Sequence, residues 1–208
     1  RAKPGVLAPS VTAGLSTVGM RMPDHPVALQ LLRTLKKPLA APSANRSGKP
    51  SPTKAAHVAE DLNDIIPYIV DGGTTGIGIE STVLDVTHEP PVILRPGGVT
   101  KEMLEKVIGT VIEPTHAEQK IESTPKAPGM KYTHYAPEAP VYLIDETANI
   151  ELAVTTLQQQ GHKVALLAPS TYAHSAADYF FTFGDEYNQS QMGANLYDAL
   201  RSCDKTDA

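Results

Sequence analysis

The chain has 208 residues, 41% of them hydrophobic, with 18 Lys and Arg against 23 Asp and Glu and a formal charge of −5. These proportions are those of a globular chain of one large or two small domains and exclude wholesale disorder. Apolar runs such as Val164 to Ala168 fall far short of the roughly 18 residues that span a bilayer, and the acidic excess gives no general pull toward phosphate backbones.

Cys203 is the single cysteine, so no internal disulfide can form, which fits a reducing, cytoplasmic compartment. No two of the seven histidines are spaced as i,i+4 ligands on one helix, and no metal ligand set is expected. The chain opens with Arg1 and shows neither a charged n-region nor an apolar h-region, so it reads as a fragment whose start is missing.

Pro26 to Lys37 places Val27, Leu31, Leu32 and Leu35 on one helical face, with Asp24 as the expected cap and Pro38 as the stop. Leu39 to Ala41 reads as a short buried strand. Ser51-Pro52 is expected to begin a second helix running to about Leu62. Ile66 to Val70 then reads as a strand and Asp71-Gly72-Gly73 as a turn. Ser81 to Val86 and Val92 to Arg95 are expected to form hairpin arms, and Val99 to Ile108 a third helix. Beyond them, 17 of the 18 prolines lie at or before Pro140, so the composition changes there. We expect a first domain over 1–112, a polar, turn-rich linker over 113–138, and a second domain over 139–208. In the latter, Val141 to Ile144, Asn149 to Gln160 and Lys163 to Ala168 read as a β-α-β unit with a small parallel sheet. Its first turn starts with Asp145-Glu146 and has no glycine, which argues against a dinucleotide there. The expected class is α/β: a twisted mixed sheet with helices, a linker, and a second small Rossmann-like domain.

Five segments carry candidate chemistry. Thr17-Val-Gly-Met-Arg-Met-Pro23 alternates, so a strand would put Thr17 and Arg21 on one face about 13 Å apart. Arg21 is then either an ordinary exposed arginine or a fork for a carboxylate or phosphate. Ala41-Pro-Ser-Ala-Asn-Arg-Ser-Gly-Lys-Pro-Ser-Pro-Thr53 is a hydroxyl-rich loop that its prolines keep from being helical. It is either plain turn chemistry or a loop held still to meet an anion. Gly73-Thr-Thr-Gly-Ile-Gly-Ile-Glu80 approaches two phosphate motifs and satisfies neither, because Ile79-Glu80 stands where Lys-Ser/Thr would follow. Arg95-Pro-Gly-Gly98 ends a strand before a helix, and His134-Tyr-Ala-Pro137 is either a turn or a lid over a planar ring. No nucleophilic triad and no catalytic carboxylate pair is discernible. From the residues alone the reading is an anion-binding α/β protein.

In order, Ser16-Thr-Val-Gly-Met-Arg-Met-Pro23, Ala41-Pro-Ser-Ala-Asn-Arg-Ser-Gly48 with Ser51-Pro-Thr53, Glu80-Ser-Thr-Val-Leu-Asp85 and Leu94-Arg-Pro-Gly97 resemble the YrdC-type domain of the threonylcarbamoyl-AMP synthase family. Ala127-Pro-Gly-Met-Lys-Tyr-Thr-His-Tyr-Ala-Pro137 resembles the linker to the accessory domain of its longer, Sua5-type members. The resemblance runs through nearly the whole chain. It implies an enzyme that joins L-threonine, bicarbonate and ATP into threonylcarbamoyl-adenylate and pyrophosphate, for the t6A modification of tRNA. It implies that Arg21, Ala41 and Ser81 hold threonine, that Thr17, Ser43, Ser51, Arg95 and Tyr135 line the ATP site, and that no residue serves as a nucleophile. Mg2+ would come with the nucleotide, and downstream tRNA-modifying proteins would be partners, with neither membrane nor strong direct nucleic-acid binding. The competing expectation is a non-catalytic RNA-binding or ribosome-assembly module of the same family, disfavoured by the negative charge and the absence of Trp. The family's basic Lys-x-Arg signature has no counterpart in these residues, and the accessory domain is expected to be incomplete at Ala208. The 208-residue piece is therefore expected to be inactive alone and the full-length protein active.

Overall fold

The computed structural model describes residues 3, 5–12, 14–114, 139–145 and 149–208. Two compact units emerge, neither continuous in sequence: residues 1–43, 83–95 and 101–130 form the first, and residues 44–82, 96–100 and 131–208 the second.

In the first unit, α1 (Pro9–Thr12) is a single turn and α2 (Pro26–Leu35) is the amphipathic helix expected from its spacing. The cap is His25 rather than Asp24: His25 is extended, makes no side-chain capping bond, and Pro26 supplies a preset φ at the first helical position. Lys36 closes α2 in the left-handed conformation, its N–H donating to the Leu32 carbonyl at 2.9 Å. Strands β1 (Val83–Asp85) and β2 (Val92–Arg95) form the expected antiparallel hairpin, pairing Val83 with Arg95 and Asp85 with Val92. Helix α4 (Lys101–Ile108) leads to residues 111–112, where Ile93 N–H donates to Ile112 O and Ile112 N–H to Pro91 O. Among the described residues, Ile93 and Val111, 1% and 2% exposed, are the buried apolar residues of this unit.

The second unit begins inside the hydroxyl-rich loop, at Ala44, and continues into α3 (Ala55–Leu62), which starts later than Ser51. Residues Ser51 to Lys54 remain outside the helix because Thr53 is buried and its N–H donates to His57 Nδ1 at 3.2 Å. Helix α5 (Ile150–Gln159) is capped by Asn149, whose side chain accepts from Leu152 N–H. Strands β3 (Ala165–Ala168) and β4 (Tyr179–Thr182) are parallel, joined by a crossover with a 3₁₀ turn at Ser170–Tyr172. Helix α6 (Gln189–Cys203), capped by Asn188, packs on both strands. Val154, Leu166, Ala168, Tyr197 and Ala199 form the buried apolar set.

The class is α/β, helices with small antiparallel and parallel sheets, as expected. Several strand expectations are corrected. Residues 17–23, 39–41, 66–70 and 141–144 carry no strand, so the parallel pair is β3 with β4 rather than a β-α-β unit starting at Val141. Alternation specifies which side chains share a face, but a strand forms only where a second strand takes up its backbone groups. Met20, Tyr68 and Leu143, at 91%, 86% and 98% exposure, show these segments lying on the surface. The expected linker falls almost entirely outside the described residues.

Candidate functional site

The first unit carries Thr17, Arg21, Ala41, Ser43 and Arg95. Arg21, Ala41 and Ser43 are exposed, Thr17 half-buried. Arg95 ends β2 opposite Val83, so the hairpin fixes its backbone. Thr17 and Arg21 lie on a segment without strand structure, and the shared strand face expected for them is absent. Tyr135, with His134, lies outside the described residues.

The second unit carries Ser51 and Ser81. Ser51 Oγ donates to Glu80 Oε1 at 2.8 Å, which brings the end of the hydroxyl-rich loop against the residue preceding Ser81. The other oxygen of the same carboxylate, Oε2, accepts from the Tyr197 hydroxyl at 2.5 Å. The backbone of Glu80-Ser81-Thr82 is held from another side. Gly98 N–H donates to Glu80 O at 3.1 Å, Thr82 Oγ1 donates to Val99 O, and Val99 N–H donates to Thr82 Oγ1. Gly97 permits this approach, since a Cβ there would stand 2.3 Å from the Glu80 carbonyl oxygen. That contact accounts for the first glycine of the Arg95-Pro-Gly-Gly segment.

The loop is anchored by a buried ion pair as well as shaped by its prolines. Asp61 on α3, 1% exposed, meets Arg201 on α6, 5% exposed, through Nη2 to Oδ2 at 2.7 Å and Nη1 to Oδ1 at 3.3 Å. The same guanidinium donates from Nη2 and Nε to the Pro50 carbonyl at 2.7 and 3.2 Å. At the other end of the loop, Arg46 N–H donates to Asp61 Oδ2 and Arg46 Nε to the Asp61 carbonyl. Burial opposes ionisation of Asp61, but the bonds and charge of Arg201 and the Arg46 N–H outweigh it and hold the carboxyl below its usual range. His57 sits beside this pair. Its Nδ1 accepts from Thr53 N–H, so Nε2 carries the hydrogen toward Asp198 Oδ1 at 3.1 Å. Burial first and the Arg201 charge next push this imidazole below its ordinary value. In the loop itself Asn45 Nδ2 donates to the Arg46 and Lys49 carbonyls, and the buried Asn45 Oδ1 has no hydrogen-bond partner among the described residues.

Sequence reasoning missed Glu80, Asp61, Tyr197 and Arg201. Glu80 was visible as the residue that spoils a phosphate motif, and Tyr197 and Arg201 as an i,i+4 pair. Their partners lie 117 and 140 residues away, which no local pattern reveals. The near-motif Gly73–Glu80 also has a packing explanation at one glycine. Gly78 has φ +75, and a Cβ on it would fall 2.4 Å from the Ala194 carbonyl oxygen of α6. Among the described residues no group of three His, Cys, Asp or Glu could hold a metal ion, and no helix is long and apolar enough to cross a membrane.

Comparison with known proteins follows the same chain order. Residues 1–97 match the Sua5_yciO_yrdC family model, described as "Telomere recombination", and residues 99–208 match the threonylcarbamoyl-AMP synthase C-terminal domain. The threonylcarbamoyl-AMP synthase of Bacillus subtilis is 51% identical over 208 residues, covering 98% of this chain and 59% of that protein. That of Pyrococcus abyssi is 46% identical over 202 residues, covering 94% and 58%. The crystal structure of P. abyssi Sua5 complexed with L-threonine superposes with a TM-score of 0.88 at 45% identity, covering 97% of this chain and 59% of that one. The chain thus spans somewhat under two thirds of the length of these relatives. Two consecutive family models and these likenesses place the chain in the threonylcarbamoyl-AMP synthase family, in its form with the C-terminal domain.

Proposed function

We propose that the protein to which this chain belongs makes L-threonylcarbamoyl-adenylate and pyrophosphate from L-threonine, bicarbonate and ATP, as the precursor of the t6A base of tRNA. The observation that carries this reading is the likeness, along nearly all of the chain, to a structure that holds L-threonine. In this reading Arg21, Ala41 and Ser81 bind threonine, Arg21 through the carboxylate, while Thr17, Ser43, Ser51, Arg95 and Tyr135 receive ATP. The threonine amine attacks bicarbonate and water leaves, giving a carbamate. A carbamate oxygen then attacks the α-phosphorus and pyrophosphate departs with its electron pair. No protein nucleophile is required, so the hydroxyls and guanidiniums act by positioning the reactants and neutralising developing charge. Mg2+ enters on the phosphates of the nucleotide, as part of the substrate. The buried Asn45 Oδ1, without a hydrogen-bond partner among the described residues, supports a loop that meets ligand donors, because an unsatisfied buried acceptor costs about 1–3 kcal/mol. Cytoplasmic location and onward transfer to tRNA-modifying proteins belong to the same proposal. The test is ATP- and bicarbonate-dependent consumption of labelled threonine by the full-length protein, with pyrophosphate formed in equal amount. Failure to consume threonine with all three present overturns the reading.

A further inference from the structure

Helix α6 belongs to the C-terminal family model, yet two of its residues bond groups that adjoin Ser51, a residue of the N-terminal one. Arg201 holds the Pro50 carbonyl, the peptide group immediately before Ser51. Tyr197, one helical turn earlier, donates to the Glu80 carboxylate that in turn accepts from Ser51 Oγ. The backbone and the hydroxyl of Ser51 are therefore fixed from one face of one helix. Docking of α6 is close enough at this point that Gly78 leaves no room for a Cβ against Ala194.

We infer that Tyr197 and Glu80 are positioning residues for the nucleotide: Tyr197 aims the Glu80 carboxylate, and Glu80, by taking the Ser51 hydroxyl hydrogen, turns the lone pairs of that oxygen toward the N–H and O–H donors of ATP. This rests on the proposed placement of Ser51 in the ATP site. An unaimed hydroxyl samples several rotamers and must be ordered when ATP binds, so its loss of aim weakens ATP. Threonine is spared. The residues on either side of Ser81 are held by bonds outside the Tyr197–Glu80 carboxylate contact, Glu80 O by Gly98 N–H and Thr82 Oγ1 by Val99.

The experiment compares Tyr197→Phe, Ser51→Ala and Val154→Ala in the full-length protein, measuring ATP and threonine affinities by calorimetric titration alongside thermal midpoints. Val154 is a buried residue of α5 whose apolar side chain makes none of the hydrogen bonds of the network, and its truncation lowers stability while leaving the bonding groups of Tyr197, Glu80 and Ser51 in place. Tyr197→Phe is expected to weaken ATP about fivefold while leaving threonine within about twofold, and Val154→Ala to leave both ligands unchanged despite its lower midpoint. Glu80→Gln, which removes one acceptor and the charge, is the second variant if Tyr197→Phe does not fold, with the same direction expected for ATP. An unchanged ATP affinity in Tyr197→Phe, beside a weakened one in Ser51→Ala, overturns the positioning role. An equal loss in Val154→Ala overturns it as well, by showing that general loosening is enough. If Ser51→Ala itself binds ATP normally, the placement of Ser51 is what fails. If the unaltered protein consumes no threonine, the proposed function is what fails.

Discussion

Arg21 and Arg95 carry the same charge, but the proposed site gives them different partners, a threonine carboxylate for one and a nucleotide phosphate for the other. Removing a guanidinium from a charge-assisted pair costs about 1.5–3 kcal/mol, roughly ten- to a hundredfold in affinity. Arg21→Ala is therefore expected to weaken threonine more than ATP, and Arg95→Ala the reverse. Calorimetric titration of each variant with each ligand checks this, and equal losses would defeat the assignment. Cys203 stands at the opposite extreme of reactivity. Burial pushes its thiol up to about 11, so almost no thiolate exists near neutral pH. Cys203→Ser should leave turnover unchanged, and thiol reagents should act no differently on the two proteins. Inhibition by such a reagent that the substitution relieves would contradict this.

At the level of elements, a glycine sets how closely two loops approach. Gly97→Ala forces a methyl group into the Glu80 carbonyl and the Thr82 amide, 2.3 and 2.5 Å away. Backbone atoms on both sides cannot yield, so the expected cost is about 1–3 kcal/mol, read as a lowered thermal midpoint together with weakened threonine binding next to Ser81. The same accounting explains what was legible in the sequence. Helices α2, α4 and α5 and the β1–β2 hairpin were readable because their determinants are local: a 3.6-residue apolar period, Pro26 at a helix start, Asn149 as a cap. The segments at 39–41, 66–70 and 141–144 were misread because a strand's existence depends on a partner elsewhere in the chain. Helix α6 escaped notice because its sequence is polar and broken by Gly193, and its stability comes from docking. The candidate site divides along the same line. Its hydroxyls and arginines were visible as motifs, whereas Glu80 gains its role only once α6 delivers Tyr197.

Over the whole chain, the second unit joins residues 44–82 of one family model to α6 of the other, and titratable groups lie at that junction. His57 is held below its ordinary 6.5 and Asp61 below 3.8. In both cases the unfolded chain binds the proton more readily than the folded one, so stability falls as pH falls. The His57 contribution is complete above about 6.5 and lost as pH descends toward its lowered folded value. That of Asp61 is lost only below about 3.8. Midpoints measured calorimetrically should thus be level above about pH 7 and decline beneath it, and His57→Gln should flatten the first decline. Arg201→Met supplies the sharper test. It leaves Asp61 buried without its guanidinium, at a cost of about 3–5 kcal/mol near neutral pH. Burial is the largest influence on Asp61, so without Arg201 its carboxyl moves upward rather than downward. The folded state then binds the proton more tightly than the unfolded one, and the Asp61 contribution reverses sign. Arg201→Met, measured in the His57→Gln background, should gain stability on mild acidification where the parent does not. A variant that instead follows the parent's slope would show that Arg201 does not govern the ionisation of Asp61.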